Sequence, residues 1–273
     1  MPVFACKFGY YYCFTLCVVN LILAEIALAQ SPYEFNKKTD EMILGLGIPL
    51  AIVAITIDGS ISPLTVDEIN ALNRMDVNAL DRIATYNFSE KSSDWSDILL
   101  YTCMATPLTL LASKKIRDDA AIVYGMYGQS LLFGFTLPLV VKGTVQRIRP
   151  FIYNPQVPLQ EKLTSEAKRS FFSGHTTVAF TSMIFLSSVY SNYYPDSKSK
   201  PYIWVGSILM ASTVGYLRIS AGAHFPSDVI MGALVGSAIG YLIPKVHEAD
   251  KINLLAAENI HYQQPLFSFQ FSF

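Results

Sequence analysis

The sequence predicts an all-α polytopic membrane bundle of about six helices, with a functional site at one membrane face. Three observations predict it. The composition is 52% hydrophobic and 15% charged, against about 25% charged in an average soluble domain, and the mean hydropathy is +0.35. Apolar runs recur at residues 42–57, 98–112, 120–141, 176–191, 202–217 and 229–243. The chemistry-bearing residues Lys142, Arg149, Ser173, His175, Arg218, His224 and Asp228 cluster at the ends of these runs.

The chain of 273 residues suits one domain or one compact bundle. A net charge of −1 gives no basic balance that would suit nucleic acid. Cys6, Cys13, Cys17 and Cys103 all sit in apolar runs, so no disulfide framework or paired-cysteine metal site is readable.

Residues 8–29 are apolar, follow Lys7, and end Ala27-Leu28-Ala29-Gln30, a small-x-small cleavage pattern. They read as a secretory signal peptide cleaved after Ala29, or alternatively as a retained membrane segment. The expected organisation is therefore this segment at 1–29, a membrane segment and amphipathic connector at 30–97, a catalytic core at 98–245 and a tail at 246–273. A spanning helix needs about 20 residues. The run at 120–141 is long enough alone, and the others must borrow flanking residues. Gly232, Gly236 and Gly240 recur every four residues in the last run, a packing stripe that lets helices approach closely.

The polar stretch 58–97 opens with Thr65 and Glu68 in capping-box spacing. Ile69, Leu72, Leu80 and Ile83 then predict a short amphipathic helix along the membrane surface, with a solvated connector favoured over a lid. The tail ends with phenylalanine at every second position from Phe267 to Phe273, a strand-like alternation that suggests no function.

Three short pieces make up the candidate site. Lys142 and Arg149 are seven residues apart, two turns along one face if the helix runs on to Pro150. Ser173 can cap the helix that follows, Gly174 lets backbone approach a ligand, and the helix start favours an anion. Arg218 precedes a small-residue turn at 220–223. His224 and Asp228 are then four apart, so the carboxylate can orient one imidazole nitrogen and leave the other unprotonated. Each piece alone has a bland reading: interfacial cations, a structural histidine, an acidic helix start. Two spans separate His175 from Arg218 and none separates Arg149 from Ser173, so all three pieces face the same side.

Taken together, Lys142…Arg149-Pro150, Phe172-Ser173-Gly174-His175 and Leu217-Arg218…His224…Asp228 resemble the motifs of the type 2 phosphatidic acid phosphatase family, related to vanadium haloperoxidases. The resemblance covers residues 98–244. Phe172 and Leu217 depart from the family's proline and serine. The resemblance implies a lipid phosphate phosphatase. His224 would attack phosphorus, Asp228 would orient His224, and His175 would protonate the leaving oxygen and later activate water. Lys142, Arg149, Ser173, Gly174 and Arg218 would hold the phosphoryl oxygens. It implies no metal and no cofactor, with lipid phosphates and membrane lipids as partners. A vanadate-dependent haloperoxidase and a non-catalytic protein of the same fold are the alternatives.

The family places its site outside the cytoplasm, in bacteria on the periplasmic face of the inner membrane. The cationic loops 113–119 and 192–201 lie opposite the motifs, as the positive-inside rule asks. A cleaved signal peptide followed by six full spans would put the site inside. Either 42–57, with Gly45, Gly47 and Pro49, is re-entrant or surface-lying, or 8–29 is not an export signal.

Overall fold

The structure is a computed structural model that describes residues 31–249. The cleavage pattern at 8–29 and the phenylalanine alternation at 267–273 lie outside the described residues. Six long helices form the bundle: α1 (Lys37–Gly59), α2 (Glu90–Ala105), α3 (Ala120–Val145), α4 (Gly174–Tyr193), α5 (Lys200–Ser220) and α6 (Pro226–Val246). Five of the six apolar runs lie inside one helix each, whereas the run at 98–112 divides between the end of α2 and a 3-10 helix at Thr106–Ala112.

The run at 42–57 is not re-entrant. It lies inside one continuous 23-residue helix with Pro49 in its interior. At about 1.5 Å per residue such a helix is long enough for a hydrocarbon core of about 30 Å. Asn36 caps its start, its side chain accepting from the Lys38 and Thr39 backbone N–H groups. Ile43, Gly47, Ala51 and Ala54 are buried, and the helix packs along α3. Met42, Leu46 and Ile52 are exposed, each by 60% or more, which suits a lipid-facing surface.

Helix α4 is the axis, packed against α2, α3, α5 and α6. Its hydroxyl-bearing side chains Thr177, Thr181, Ser182 and Ser187 are buried. Shielded by its neighbours, α4 needs no apolar exterior. Accordingly, among the described residues the helices long and apolar enough to cross a membrane are α1, α3 with the turn after it, α5 and α6. The glycine stripe of α6 does pack as its spacing suggests. A Cβ at Gly236 would lie 2.2 Å from the Thr177 carbonyl oxygen, and one at Gly240 2.4 Å from that of Thr181.

The motifs share one end of the bundle: α3 and α5 finish there, and α4 and α6 begin. Helix α1 arrives at that end too, since Asp58 pairs with Arg169 at 3.0 Å. Its start lies at the other end, where Asp40 meets His247 beyond α6 at 3.0 Å.

The connector after α1 is not one amphipathic helix. The capping box of Thr65 and Glu68 forms as expected but starts a helix of only five residues, Val66–Asn70. A turn at Arg74–Asp76 and a short helix at Ala79–Arg82 follow. Ile69 and Leu72 pack on Leu64, Ile152 and Ala167, whereas Leu80 and Ile83 point outward. Nor is it a solvated link. The Arg74 guanidinium donates to the Tyr153 carbonyl at 2.8 Å, and the Asn87 amide donates to that of Ile219 at 3.0 Å. Gly222, at φ +71°, sits where a Cβ would meet the Asn87 carbonyl at 2.3 Å. The small residues of this turn let the connector dock on the motif end of the bundle.

Candidate active site

Lys142 is buried in the last turn of α3. Its Nζ would lie 3.4 Å from a Cβ at Gly174. The helix does not continue to Arg149. It stops at Val145, where Gln146 takes a left-handed conformation (φ 47°) and its N–H closes on the Lys142 carbonyl at 3.0 Å. Arg149 therefore belongs to the loop, fixed by its backbone N–H to the Ala167 carbonyl (2.8 Å) and by its guanidinium to Glu166 (3.2 Å).

Ser173 caps α4 as expected, its hydroxyl accepting from the Thr176 hydroxyl (2.9 Å) and backbone N–H (3.4 Å). Its own N–H donates to the Asp228 carbonyl at 3.1 Å, which joins the second and third motifs. His175 follows Gly174 in the first turn of α4. Its Nε2 lies 2.7 Å from Asp97 Oδ1 on α2. The same carboxylate oxygen is 3.8 Å from the Arg218 guanidinium. Arg218 lies in the last turn of α5 and donates to the hydroxyls of Ser96 (3.1 Å) and Ser93 (3.4 Å).

His224 is fully buried. Its Nδ1 is 2.7 Å from the Ser170 carbonyl, which assigns the proton to Nδ1 and leaves Nε2 as the basic nitrogen. Nε2 is buried without a hydrogen-bond partner among the described residues. Burial, reinforced by Arg149, Lys142, Arg218 and His175, holds the imidazole pKa well below its ordinary value. The ring is thus neutral at physiological pH, with a free lone pair.

Asp228 does not orient His224 by a direct hydrogen bond, contrary to the sequence expectation: Oδ2 and Nδ1 are 3.8 Å apart. Asp228 accepts instead from the Ser170 hydroxyl (2.5 Å), the Phe225 N–H (2.9 Å) and the Arg147 guanidinium (2.5 Å). The carboxylate closes the N-terminus of α6, and Ser170 stands between it and the imidazole.

The fold thus brings Lys142, Arg149, Ser173, Gly174, His175, Arg218, His224 and Asp228 to one end of the bundle. Sequence reasoning missed Asp97, Ser93 and Ser96 on α2, Asp81 on the connector, and Arg147, Glu166 and Ser170 in the loop before α4. Ser93, Ser96 and Asp97 have i, i+3, i+4 spacing, which puts them on one face of a helix and could have marked them. Glu166 pairs with Arg149 and Arg169. Burial pushes its carboxyl up, but Arg149, Arg169 and Lys142 together hold it below the usual range. Among the described residues no group of three or more His, Cys, Asp or Glu side chains is placed to hold a metal ion.

A neutral buried imidazole facing a ring of cations, with a carboxylate-paired second histidine, can hold a tetrahedral anion and transfer its central atom. Residues 121–252 match the PAP2 superfamily. This stretch is a PAP2 superfamily domain. It spans all three motifs, whereas Asp81 and Asp97 reach the site from outside it. Undecaprenyl-diphosphatase of Sulfolobus acidocaldarius is 30% identical over 130 residues, covering 46% of this chain and 57% of that protein. "Probable diacylglycerol pyrophosphate phosphatase 1" of Schizosaccharomyces pombe is 24% identical over 168 residues, covering 52% and 60%. Lipid A 4'-phosphatase of Porphyromonas gingivalis is 34% identical over 80 residues, covering 29% and 30%. The match thus spans less than two thirds of each relative's length. A solved PAP2-type phosphatidylglycerolphosphate phosphatase from Bacillus subtilis aligns over 81% of this chain and 98% of its own, with 18% identity and a TM-score of 0.44.

Proposed function

We propose that this protein is an integral membrane lipid phosphate phosphatase working through a phosphohistidine on His224. The observation that carries the reading is the state of His224. Its Nδ1 is committed to the Ser170 carbonyl, and its neutral Nε2 is buried and unpartnered beside Lys142, Arg149 and Arg218. A nucleophile needs that lone pair, and a phosphoryl group needs those charges. The lipid phosphates and diphosphates named for the relatives support the substrate class.

In this mechanism the Nε2 lone pair forms a bond to phosphorus as the bond to the lipid oxygen breaks. His175 gives that oxygen a proton. Water then attacks phosphorus, His175 takes a proton from it, the P–N bond breaks, and inorganic phosphate leaves. Lys142, Arg149 and Arg218 balance the phosphoryl charge throughout, and the starts of α4 and α6 add partial positive charge. Charge stabilisation is thus supplied by the chain itself, and activity is expected to persist in excess chelator.

The site is proposed to face away from the cytoplasm, at the outer side of a bacterial inner membrane. Lys114, Lys115 and Arg117 before α3, Lys198 before α5 and Lys200 at its first position lie at the opposite end. Because α1 runs the length of the bundle, that orientation starts α1 in the cytoplasm. A segment at 8–29 cleaved on the outer side would not produce it, so retention of that segment fits better.

Purified protein is tested on a panel of phosphatidate, diacylglycerol pyrophosphate and undecaprenyl diphosphate, with chelator and then with orthovanadate. Release of phosphate that survives chelation, is inhibited by vanadate and disappears in His224→Ala is the expected result. Undiminished turnover by His224→Ala would overturn the nucleophile. Loss on chelation, restored by magnesium, would overturn the metal-free reading.

A further inference from the structure

The connector carries a buried carboxylate that the mechanism above does not use. Asp81, in the short helix Ala79–Arg82, is fully buried. It accepts from the Arg147 guanidinium (2.7 Å), the Ser227 N–H (2.9 Å), the Ser227 hydroxyl (2.7 Å) and the Asn78 amide (2.7 Å). Arg147 does not end there. Its other terminal nitrogen lies 2.5 Å from Asp228 and 2.8 Å from the Ser227 hydroxyl, and its guanidinium lies over the Phe225 ring at 4.1 Å. One guanidinium therefore bridges two buried carboxylates, one from the connector and one from the third motif.

From Arg147 two routes run to His224. By the side chain, Arg147 holds Asp228, which accepts from the Ser170 hydroxyl at 2.5 Å. By the backbone, the Arg147 carbonyl accepts from the Ser170 N–H at 2.9 Å. Both converge on Ser170, whose carbonyl accepts the hydrogen bond from His224 Nδ1–H at 2.7 Å. The position of that carbonyl sets where Nε2 points.

We infer that Asp81 is a positioning residue for His224, acting through the Arg147 bridge, and that docking of the connector completes the catalytic site. A buried ion pair is weak evidence of stabilisation, because desolvation offsets most of the Coulomb gain. A pair held only for stability would need one carboxylate for one guanidinium. Here the planar fork is fixed at both ends, a geometry that lysine cannot reproduce. The side-chain bonds of Arg147 go to Asp81, Asp228 and Ser227, and Arg149 pairs with Glu166 instead, so the bridge can orient the imidazole without setting anion affinity.

The inference rests on the proposed role of His224. Its test uses Asp81→Asn, Arg147→Lys and the double variant in the full chain. Turnover of phosphatidate in mixed micelles and inhibition by inorganic vanadate are read for each. Hydrogen-bond partners that orient metal-binding histidines matter by about 10- to 100-fold, and the same order is expected of a group that orients His224. Expected are a kcat loss of that order for each single variant, a KM within about twofold of wild type, and a double variant no slower than the slower single, since both break one bridge. Wild-type kcat in Asp81→Asn, a loss confined to KM, or losses that multiply in the double variant would overturn the inference. Should Asp81→Asn fail to fold, Asn78→Ala, which removes one bond to the Asp81 carboxylate and the cap on the Asp81 N–H, must lower kcat several-fold at unchanged KM, and wild-type kcat there overturns it equally. Activity remaining in His224→Ala would sink the nucleophile assignment instead, whatever the bridge variants do.

Discussion

Replacing Asp97 by asparagine separates proton donation from phosphate binding. Asp97 Oδ1 is 2.7 Å from His175 Nε2 and 3.8 Å from the Arg218 guanidinium. The variant keeps size and a carbonyl oxygen but removes the charge that stabilises a protonated His175. A hydrogen bond to a charged group contributes about 1.5–3 kcal/mol. At about 1.4 kcal/mol per tenfold in rate, that is a loss of about 10- to 100-fold where protonation of the leaving group limits turnover. Arg218 loses a competing carboxylate in the same variant, so KM should hold or fall. An alkyl phosphate needs the proton, and an aryl phosphate such as p-nitrophenyl phosphate leaves with little help. The assay is kcat and KM for both ester types in wild type and Asp97→Asn. The expected result is a large kcat loss for the alkyl ester and a loss of a few-fold for the aryl ester. Equal losses, or a loss seen only as raised KM, would refute the pairing of Asp97 with a proton-donating His175.

Other consequences are open to measurement. Because burial and the nearby cations hold His224 well below its ordinary pKa, the acid limb of kcat/KM should lie below the usual imidazole range. Lys142→Met removes one of those cations, so the His224 pKa should rise and the limb should move to higher pH; a limb that stays put or moves down contradicts the assignment. Gly236→Ala places a Cβ 2.2 Å from the Thr177 carbonyl, so overpacking should cost about 1–3 kcal/mol, read as a lowered Tm in detergent. An unchanged Tm would mean that α4 and α6 can separate freely. Single cysteines near Gln156 and Gly222 should label alike with an impermeant reagent in intact cells, while one near Ser197 is protected. Opposite labelling of the first two would break the bundle as described.

Much of the outcome was legible in local pattern. Five of the six apolar runs became one helix each because a helix buries or exposes a whole face, and that requirement is written in consecutive residues; the run at 98–112 divides between α2 and the 3-10 helix at Thr106–Ala112. The three motifs met at one end because helices alternate direction, a matter of counting. Ser173 caps α4 because a cap involves neighbours only. The end of α3 was read four residues too far, at Arg149 instead of Val145: Pro150 marks a boundary, but the left-handed turn at Gln146 closed the helix first and put Arg149 on a loop.

What needed the tertiary structure are the contacts that join residues far apart in the chain. His175 meets Asp97 from 78 residues away, His224 meets Ser170 across 54, and Ser227 meets Asp81 across 146. Spacing along a helix suggested that Asp228 would touch His224. The fold instead turned that carboxylate to the N-terminus of α6, to Ser170 and to Arg147, because a buried charge goes where the most donors converge. By itself the sequence determined the helical bundle and the set of motif residues. Only the packed structure decided which carboxylate lies beside which histidine, and that the connector docks on the motif end of the bundle. Such pairings depend on where separate helices end in space, and no local periodicity records that.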